Sequence, residues 1–285
     1  FSAYVGKLNM DRNSRFGLQE TTEETLKETE RWLKETETGY GQVKPILTPR
    51  YTPTCTDACM EGLQVLSEKY QVPVQSHLSE GLDEIEWVKQ LKPGLSCYGE
   101  AYDMYDLLGS RQPAVMAHVV HPNEAEYELI KHRNVLVAHC PQSNTNAANG
   151  VAPILQMVHD GIRVGLGTDM AGGYNLNLLR TMTDAIQASK LRWCFTERNG
   201  DPFAKKNFLT VANAFYLATK GGGSFFGKVG SFEPDYEFDA VVLDDAALAD
   251  FVERPVQDRF QRILWLYTAD TVTAKFIQGT CVYQA

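Results

Sequence analysis

Apolar residues in this chain fall into short continuous runs, separated by longer stretches in which they recur every three or four positions. The runs read as buried strands and the stretches as amphipathic helices. Six strands are predicted, over residues 1–7, 43–47, 72–74, 114–117, 135–138 and 163–166. Thr21 with Glu24 forms a capping box ahead of a charged helix that reaches about Glu37, with Leu26 and Leu33 on one face. Thr56 heads a helix in which Cys59, Leu63, Leu66 and Tyr70 recur at helical spacing. Further helices are predicted over 84–91, 102–108, 124–132 and 153–159, the last closed by Gly161. Such regular alternation of strand and helix is the sign of βα units and a parallel sheet. After Asp169 the pattern changes to long helices near 175–193 and 207–219, followed by Gly221-Gly222-Gly223. Two late apolar runs, 238–243 and 275–282, read as strands of a small separate β element.

Composition narrows the class. The chain has 285 residues, 44% hydrophobic and 22% charged, enough to bury a large core without covalent staples. The net charge of −9 argues against a nucleic-acid backbone as partner and leaves small molecules open. No apolar run approaches ~18 residues, so no transmembrane helix and no membrane partner are expected. Cys55, Cys59, Cys97, Cys140, Cys194 and Cys281 form no C-x-x-C pair, and several stand among apolar residues. Reduced buried thiols in a cytoplasmic protein are expected. Cys55 and Cys59 lack the second pair that a zinc site would need. No signal peptide is recognised, and the chain starts at Phe1, not Met.

Candidate chemistry collects at the ends of the strands. Arg50, His77, His118 and Asp169 each follow an apolar run, and His139 follows another. In a parallel barrel the C-terminal strand ends share one rim, where chemistry is done. A single strand-end histidine is more often structural. A series of them is harder to explain that way. Two imidazoles and a carboxylate suit a divalent transition metal, most readily zinc, which makes hydroxide available near neutral pH. Glu80, three residues past His77, is placed to carry protons, and Arg50 to clamp a carbonyl. His139 precedes Cys140-Pro141-Gln142-Ser143-Asn144, and a backbone tie for that loop outweighs ligation. His132 and His159 read as surface residues and His121 as loop. Gly165, Gly167, Gly172 and Gly173 match no Walker or dinucleotide fingerprint, so close backbone approach is expected there.

In series, QSHLSE, MAHVVH, VAHCPQSN and GLGTDMAGG resemble the amidohydrolase superfamily, and the fuller pattern is similar to the guanine deaminases. The segment Thr48 to Tyr51, the H-x-x-E of His77 and Glu80, Gly165 to Gly173, and the YVGKLNMD and TTEETLKETER stretches carry this likeness. The resemblance implies a TIM-type (β/α)8 barrel of the metal-dependent hydrolase kind, with about six of eight strands in this chain. Residues 1–225 would be its catalytic domain, and 226–285 would complete a small β domain. His77 and Asp169 would be zinc ligands, and His118 would lie beside the metal. Glu80, His118 and Asp169 would be catalytic, while Arg50, Tyr51, His77 and Glu80 would hold the purine. The implied reaction is hydrolytic deamination of guanine to xanthine and ammonia, by a homodimer holding one zinc ion per site.

The family also carries an H-x-H pair on its first strand, and no H-x-H occurs in this chain. Two further histidine ligands are therefore expected upstream of Phe1. Competing expectations are an amidohydrolase acting on another aromatic amine, such as an adenosine derivative or triazine, and a catalytically silent short form that serves as a binding or scaffold protein.

Overall fold

The computed structural model describes residues 2–39, 41–249, 251–268 and 271–285. By internal packing the chain divides into two units, one of residues 1–139, 148–152 and 156–163, the other of residues 140–147, 153–155 and 164–285.

The first unit alternates short strands with helices: β1 (Ala3–Val5), β2 (Leu8–Asn9), α1 (Thr22–Gly39), β3 (Val43–Pro45), β4 (Thr48–Pro49), α2 (Asp57–Tyr70), β5 (Val74–Leu78), α3 (Leu82–Leu91), α4 (Glu100–Asp103), β6 (Ala114–His118), α5 (Glu124–His132) and β7 (Leu136–His139). Local chemistry explains many of the boundaries. The Thr21 hydroxyl accepts the Glu24 N–H at 3.2 Å and the Glu24 carboxylate accepts the Thr21 N–H at 3.0 Å, closing the predicted capping box. Thr56 caps α2 by accepting the Cys59 N–H, and Asn123 caps α5 by accepting the Glu126 N–H.

The strands pair in parallel: β1 with β3, β2 with β4, Leu47 with Val74 beyond them, and β5 with β6 and β6 with β7. Along β5 and β6 burial alternates strictly. One face carries buried Val74, Ser76 and Leu78 beside Ala114 and Met116, and the other carries half-buried Gln75 and His77 beside Val115 and Ala117.

Four expectations are corrected. The run over 1–7 yields a strand only at Ala3–Val5, a second short strand at Leu8–Asn9 follows just beyond it, and Phe1 lies outside the described residues. The helix predicted over 102–108 is α4, Glu100–Asp103. Asp106 turns left-handed (φ 56°), and the Leu107 N–H closes back on the Tyr102 carbonyl, which ends the helix. The other two lie in the second unit.

That unit holds α6 (Pro141–Asn146), most of β8 (Arg163–Leu166), α8 (Leu178–Arg192), α9 (Val211–Tyr216), β9 (Ala240–Leu243), α10 (Val256–Leu266), β10 (Val272–Ile277) and β11 (Thr280–Gln284), while α7 (Ile154–His159) carries residues of both units. The helix predicted over 207–219 starts later, where Thr210 and Asn213 form a capping box, and α9 then widens into a π-type turn at 217–221. The single strand predicted over 275–282 is two antiparallel strands, β10 and β11. Gln278 (φ 49°) and Gly279 (φ 78°) make the left-handed two-residue turn between them. Helical packing centres on Met182, Ile186, Leu217, Ile263 and Leu264, all buried.

Candidate active site

The site of the first unit is built where β4, β5 and β6 end. His77 stands on the half-buried face of β5. Its Nδ1 lies 2.6 Å from the Arg50 carbonyl oxygen. A carbonyl only accepts, so Nδ1 carries a hydrogen, and in the neutral ring Nε2 is then the nitrogen with the lone pair. This is the arrangement a metal-binding imidazole needs, with the far nitrogen oriented by a backbone oxygen. The Arg50 carbonyl also accepts the His77 N–H at 3.3 Å, so the Arg50–Tyr51 corner is joined to the end of β5.

His118 pairs with Leu78 in register, and Leu78 points to the face opposite His77. Strict alternation would put the His118 ring on that opposite face. Instead His118 takes φ 76° and Val119 φ 48°. The strand breaks its pleat, and the His118 ring stacks on His77, centroids 5.2 Å apart and planes at 20°. Positive φ is costly at any residue with a Cβ, and most of all at β-branched Val119. The Val119 N–H donates to the Leu78 carbonyl, and the Val120 and His121 N–H groups both donate to the Ser79 carbonyl, which hold the strained turn in place.

Glu80 follows Ser79, itself left-handed at φ 46°. One Glu80 oxygen accepts the Asn149 side-chain N–H at 2.9 Å, and the other lies 3.5 Å from Nε2 of His118. The Glu80 N–H donates to Glu84 at 3.3 Å, and burial pushes the Glu84 carboxyl up to about 7. Glu126 receives the Ser79 hydroxyl at 2.6 Å and the Gly99 N–H at 2.8 Å, and burial raises it to about 7 as well. The Arg50 guanidinium lies 4.8 Å over the Tyr51 ring, whose edge contacts run to His77 and Trp87, both at 6.4 Å. His77, Glu80, His118, Arg50 and Tyr51 are thus gathered at one mouth.

His139 is buried, and its Nδ1 finds no hydrogen-bond partner among the described residues, so the expected backbone tie is not made through that atom. Burial, with His118 nearby, lowers its pKa to about 3, leaving the ring neutral. His132 and His159 are exposed, as expected, and half-buried His121 contacts the Asn149 carbonyl through Nε2.

Asp169 belongs to the second unit. It too ends its strand left-handed, at φ 45°, and its carbonyl accepts the Gly173 N–H at 2.6 Å. A Cβ on Gly172 would come within 2.9 Å of the Asp169 carboxylate, and one on Gly173 within 2.0 Å of the Thr168 carbonyl, so close backbone approach accounts for these glycines. Gln142 supports the loop: its oxygen accepts the Tyr174 and Asn175 N–H groups, and its nitrogen donates to Asp184 at 2.9 Å.

Asn149, Glu84, Trp87, Glu126, Tyr102 and Gln142 were not singled out from sequence. Only Glu84 carried a usable signal, a second carboxylate one helical turn past Glu80. Among the described residues no group of three or more His, Cys, Asp or Glu side chains could hold a metal ion. The tautomer of His77 fits a metal, as one donor of a larger set.

Strained strand-end residues beside an oriented imidazole and a held carboxylate are what a metal-dependent hydrolase of α/β fold presents. Residues 1–263 match the model of the amidohydrolase family, and the chain belongs to that family. A guanine deaminase of Dictyostelium discoideum is 35% identical, over 97% of this chain and 61% of its own length. The crystal structure of guanine deaminase from C. acetobutylicum with bound guanine in the active site superposes with a TM-score of 0.92 at 41% identity, covering 99% of this chain and 65% of that one. An adenosine deaminase from Xanthomonas campestris with bound zinc shares the fold, with a TM-score of 0.81 at 21% identity over 61% of its length. The chain thus spans about three fifths of the curated relative's length.

Proposed function

We propose that this chain is the larger part of a zinc-dependent guanine deaminase, converting guanine and water to xanthine and ammonia. The observation that carries the reading is the docking of the Arg50–Tyr51 corner onto His77, with Glu80 held beside it. Relatives of that activity, one of them solved with guanine bound, support it. In this reading residues 1–225 supply about six of the eight strands of a (β/α)8 barrel, and residues 226–285 complete a small β domain. The working enzyme is a cytoplasmic homodimer.

His77, through Nε2, and Asp169 would hold the zinc, with further ligands from outside this chain. Zinc, when bound, supplies Lewis acidity and acidifies water. Arg50 donates to the purine carbonyl and so favours an oxopurine over adenine, and the Tyr51 ring helps to seat the base. Glu80, fixed by Asn149, takes a proton from the attacking water and passes it to the ring nitrogen. His118, stacked on His77, orients the water, and Asp169 shares in the proton transfer. As the C–N bond breaks, the exocyclic amine leaves as ammonia.

A steady-state panel of purines, adenosine derivatives and triazines tests the reading. Guanine should be the preferred substrate, and turnover of adenosine derivatives or triazines without guanine would overturn it. A second reading, a silent form acting as a binding protein, is favoured by the lack of three clustered donors among the described residues. Metal analysis together with guanine turnover separates the two: zinc near one per chain with normal rates excludes the silent form.

A further inference from the structure

Tyr102 lies in α4, outside every motif that the chemistry uses, and is fully buried. A tyrosine hydroxyl taken out of water needs partners. This one donates to the His77 carbonyl at 2.8 Å and accepts the Thr52 N–H at 3.1 Å, with Ser76 Oγ at 2.9 Å. The two backbone partners are not arbitrary. In a parallel ladder, the bond from the His77 N–H to the Arg50 carbonyl is followed by one from the Thr52 N–H to the His77 carbonyl. Here the Tyr102 hydroxyl occupies that next rung. It satisfies both groups and keeps the strands apart just where Tyr51 and His77 face each other.

We propose that Tyr102 is a positioning residue: its hydroxyl wedges open the last rung of the sheet and sets the gap between the Arg50–Tyr51 corner and His77 to accept a planar purine. This rests on the proposed function, because the purine is the ligand that the gap serves. Without the hydroxyl, Thr52 and His77 either close on each other and narrow the mouth or stay unsatisfied and let the corner drift. Both outcomes move Arg50 and Tyr51 relative to His77.

The test compares Tyr102→Phe with Tyr98→Phe in the full chain. Tyr98 is also buried, stacks on Tyr102 at 5.7 Å and brings its hydroxyl 3.4 Å from the Tyr102 hydroxyl, so it reports the cost of losing a buried hydroxyl that touches the wedge but neither backbone group. The readouts are xanthine affinity by calorimetry, zinc content, and amide exchange at Thr52 by NMR. Tyr102→Phe should weaken xanthine binding about tenfold and speed Thr52 exchange by a similar factor, with zinc content unchanged, as expected for a lost buried hydrogen bond. Tyr98→Phe, which leaves the Tyr102 bonds to Thr52 and His77 in place, should change Thr52 exchange and xanthine affinity several-fold less than Tyr102→Phe does. Unchanged affinity and exchange in folded Tyr102→Phe, or equal effects in both variants, would overturn the proposal. If the unsubstituted chain binds no xanthine, the functional reading fails, and Thr52 exchange alone decides the wedge. If Tyr102→Phe does not fold, the unsubstituted chain still decides: its Thr52 amide should exchange at least about a hundredfold slower than a free amide, and unprotected exchange would overturn the proposal.

Discussion

Two sheets in this molecule use left-handed backbone for opposite ends. In the parallel strands β5 and β6, positive φ falls on Ser79, His118 and Val119, residues for which it is costly. In the antiparallel sheet β9–β11 it falls on Gln278 and Gly279, a turn that suits glycine. β5 and β6 are buried in strict alternation, and their strained ends are held by several backbone hydrogen bonds. The last strand of the antiparallel sheet is exposed along its whole length. Strain persists where surrounding structure over-determines it, and there it aims side chains. In the exposed hairpin it serves only to reverse the chain.

The sharpest way to break this contrast is at Glu80. Glu80→Gln in an enzyme with its full ligand set should cost roughly two to four decades of rate and retain zinc, as loss of a proton carrier does. Steady-state kinetics with metal analysis checks it, and a variant that lost its zinc would show Glu80 to be a ligand.

Packing should follow the same divide. Met116, fully buried on β6, should cost about 2–5 kcal/mol when cut to alanine. Exposed Val282 on β11 should change stability by no more than about 0.5 kcal/mol. Urea melts would measure both, and equal losses would dissolve the distinction.

Glu126 gives the first unit a pH signature. Burial raises its carboxyl from 4.5 to about 7, so the folded chain binds that proton more tightly than the unfolded one. Its stabilising effect is complete below 4.5, falls as pH rises toward about 7, and levels off above. Glu84 shifts in the same direction and adds to the slope. Glu126→Gln keeps an acceptor for the Gly99 N–H and turns Ser79 Oγ from donor to acceptor of the amide N–H, and should remove about 3 kcal/mol of pH dependence between pH 4.5 and 7. Melting curves across that range test it. An unchanged slope would mean that Glu126 ionises as an ordinary carboxylate.

The smallest effect belongs to the hairpin. Asparagine tolerates left-handed backbone better than glutamine does, so Gln278→Asn should gain a few tenths of a kcal/mol, read as a slightly higher melting temperature. A loss there would mean that the Gln278 side-chain bond to Glu237, at 3.0 Å, matters more than the turn.

Apolar periodicity by itself determined where β6, β7 and β8 run, because burial in a parallel sheet selects short continuous apolar runs, whereas β5 runs Val74–Leu78, past the predicted 72–74, because its alternating Gln75 and His77 break the apolar run while the ladder continues. It also located the strand ends, and with them His77, Glu80, His118 and Asp169 as candidates. Caps were legible for the same local reason: Thr21 with Glu24 and Thr56 with Cys59 act within a few residues. The helix over 102–108 and the strand over 275–282 failed because left-handed residues turn the chain there, Asp106 in the first and Gln278 with Gly279 in the second, which apolar periodicity does not betray. Tertiary structure alone decided that His118 turns to the face of His77, since alternation predicts the opposite and only the backbone bonds around Leu78 and Ser79 make the turn tolerable. It alone placed Tyr102 in the ladder and raised Glu126, because burial and partners 20 or more residues distant leave no mark on local sequence, and it alone buried Glu84, whose spacing from Glu80 shows a second carboxylate but not its burial.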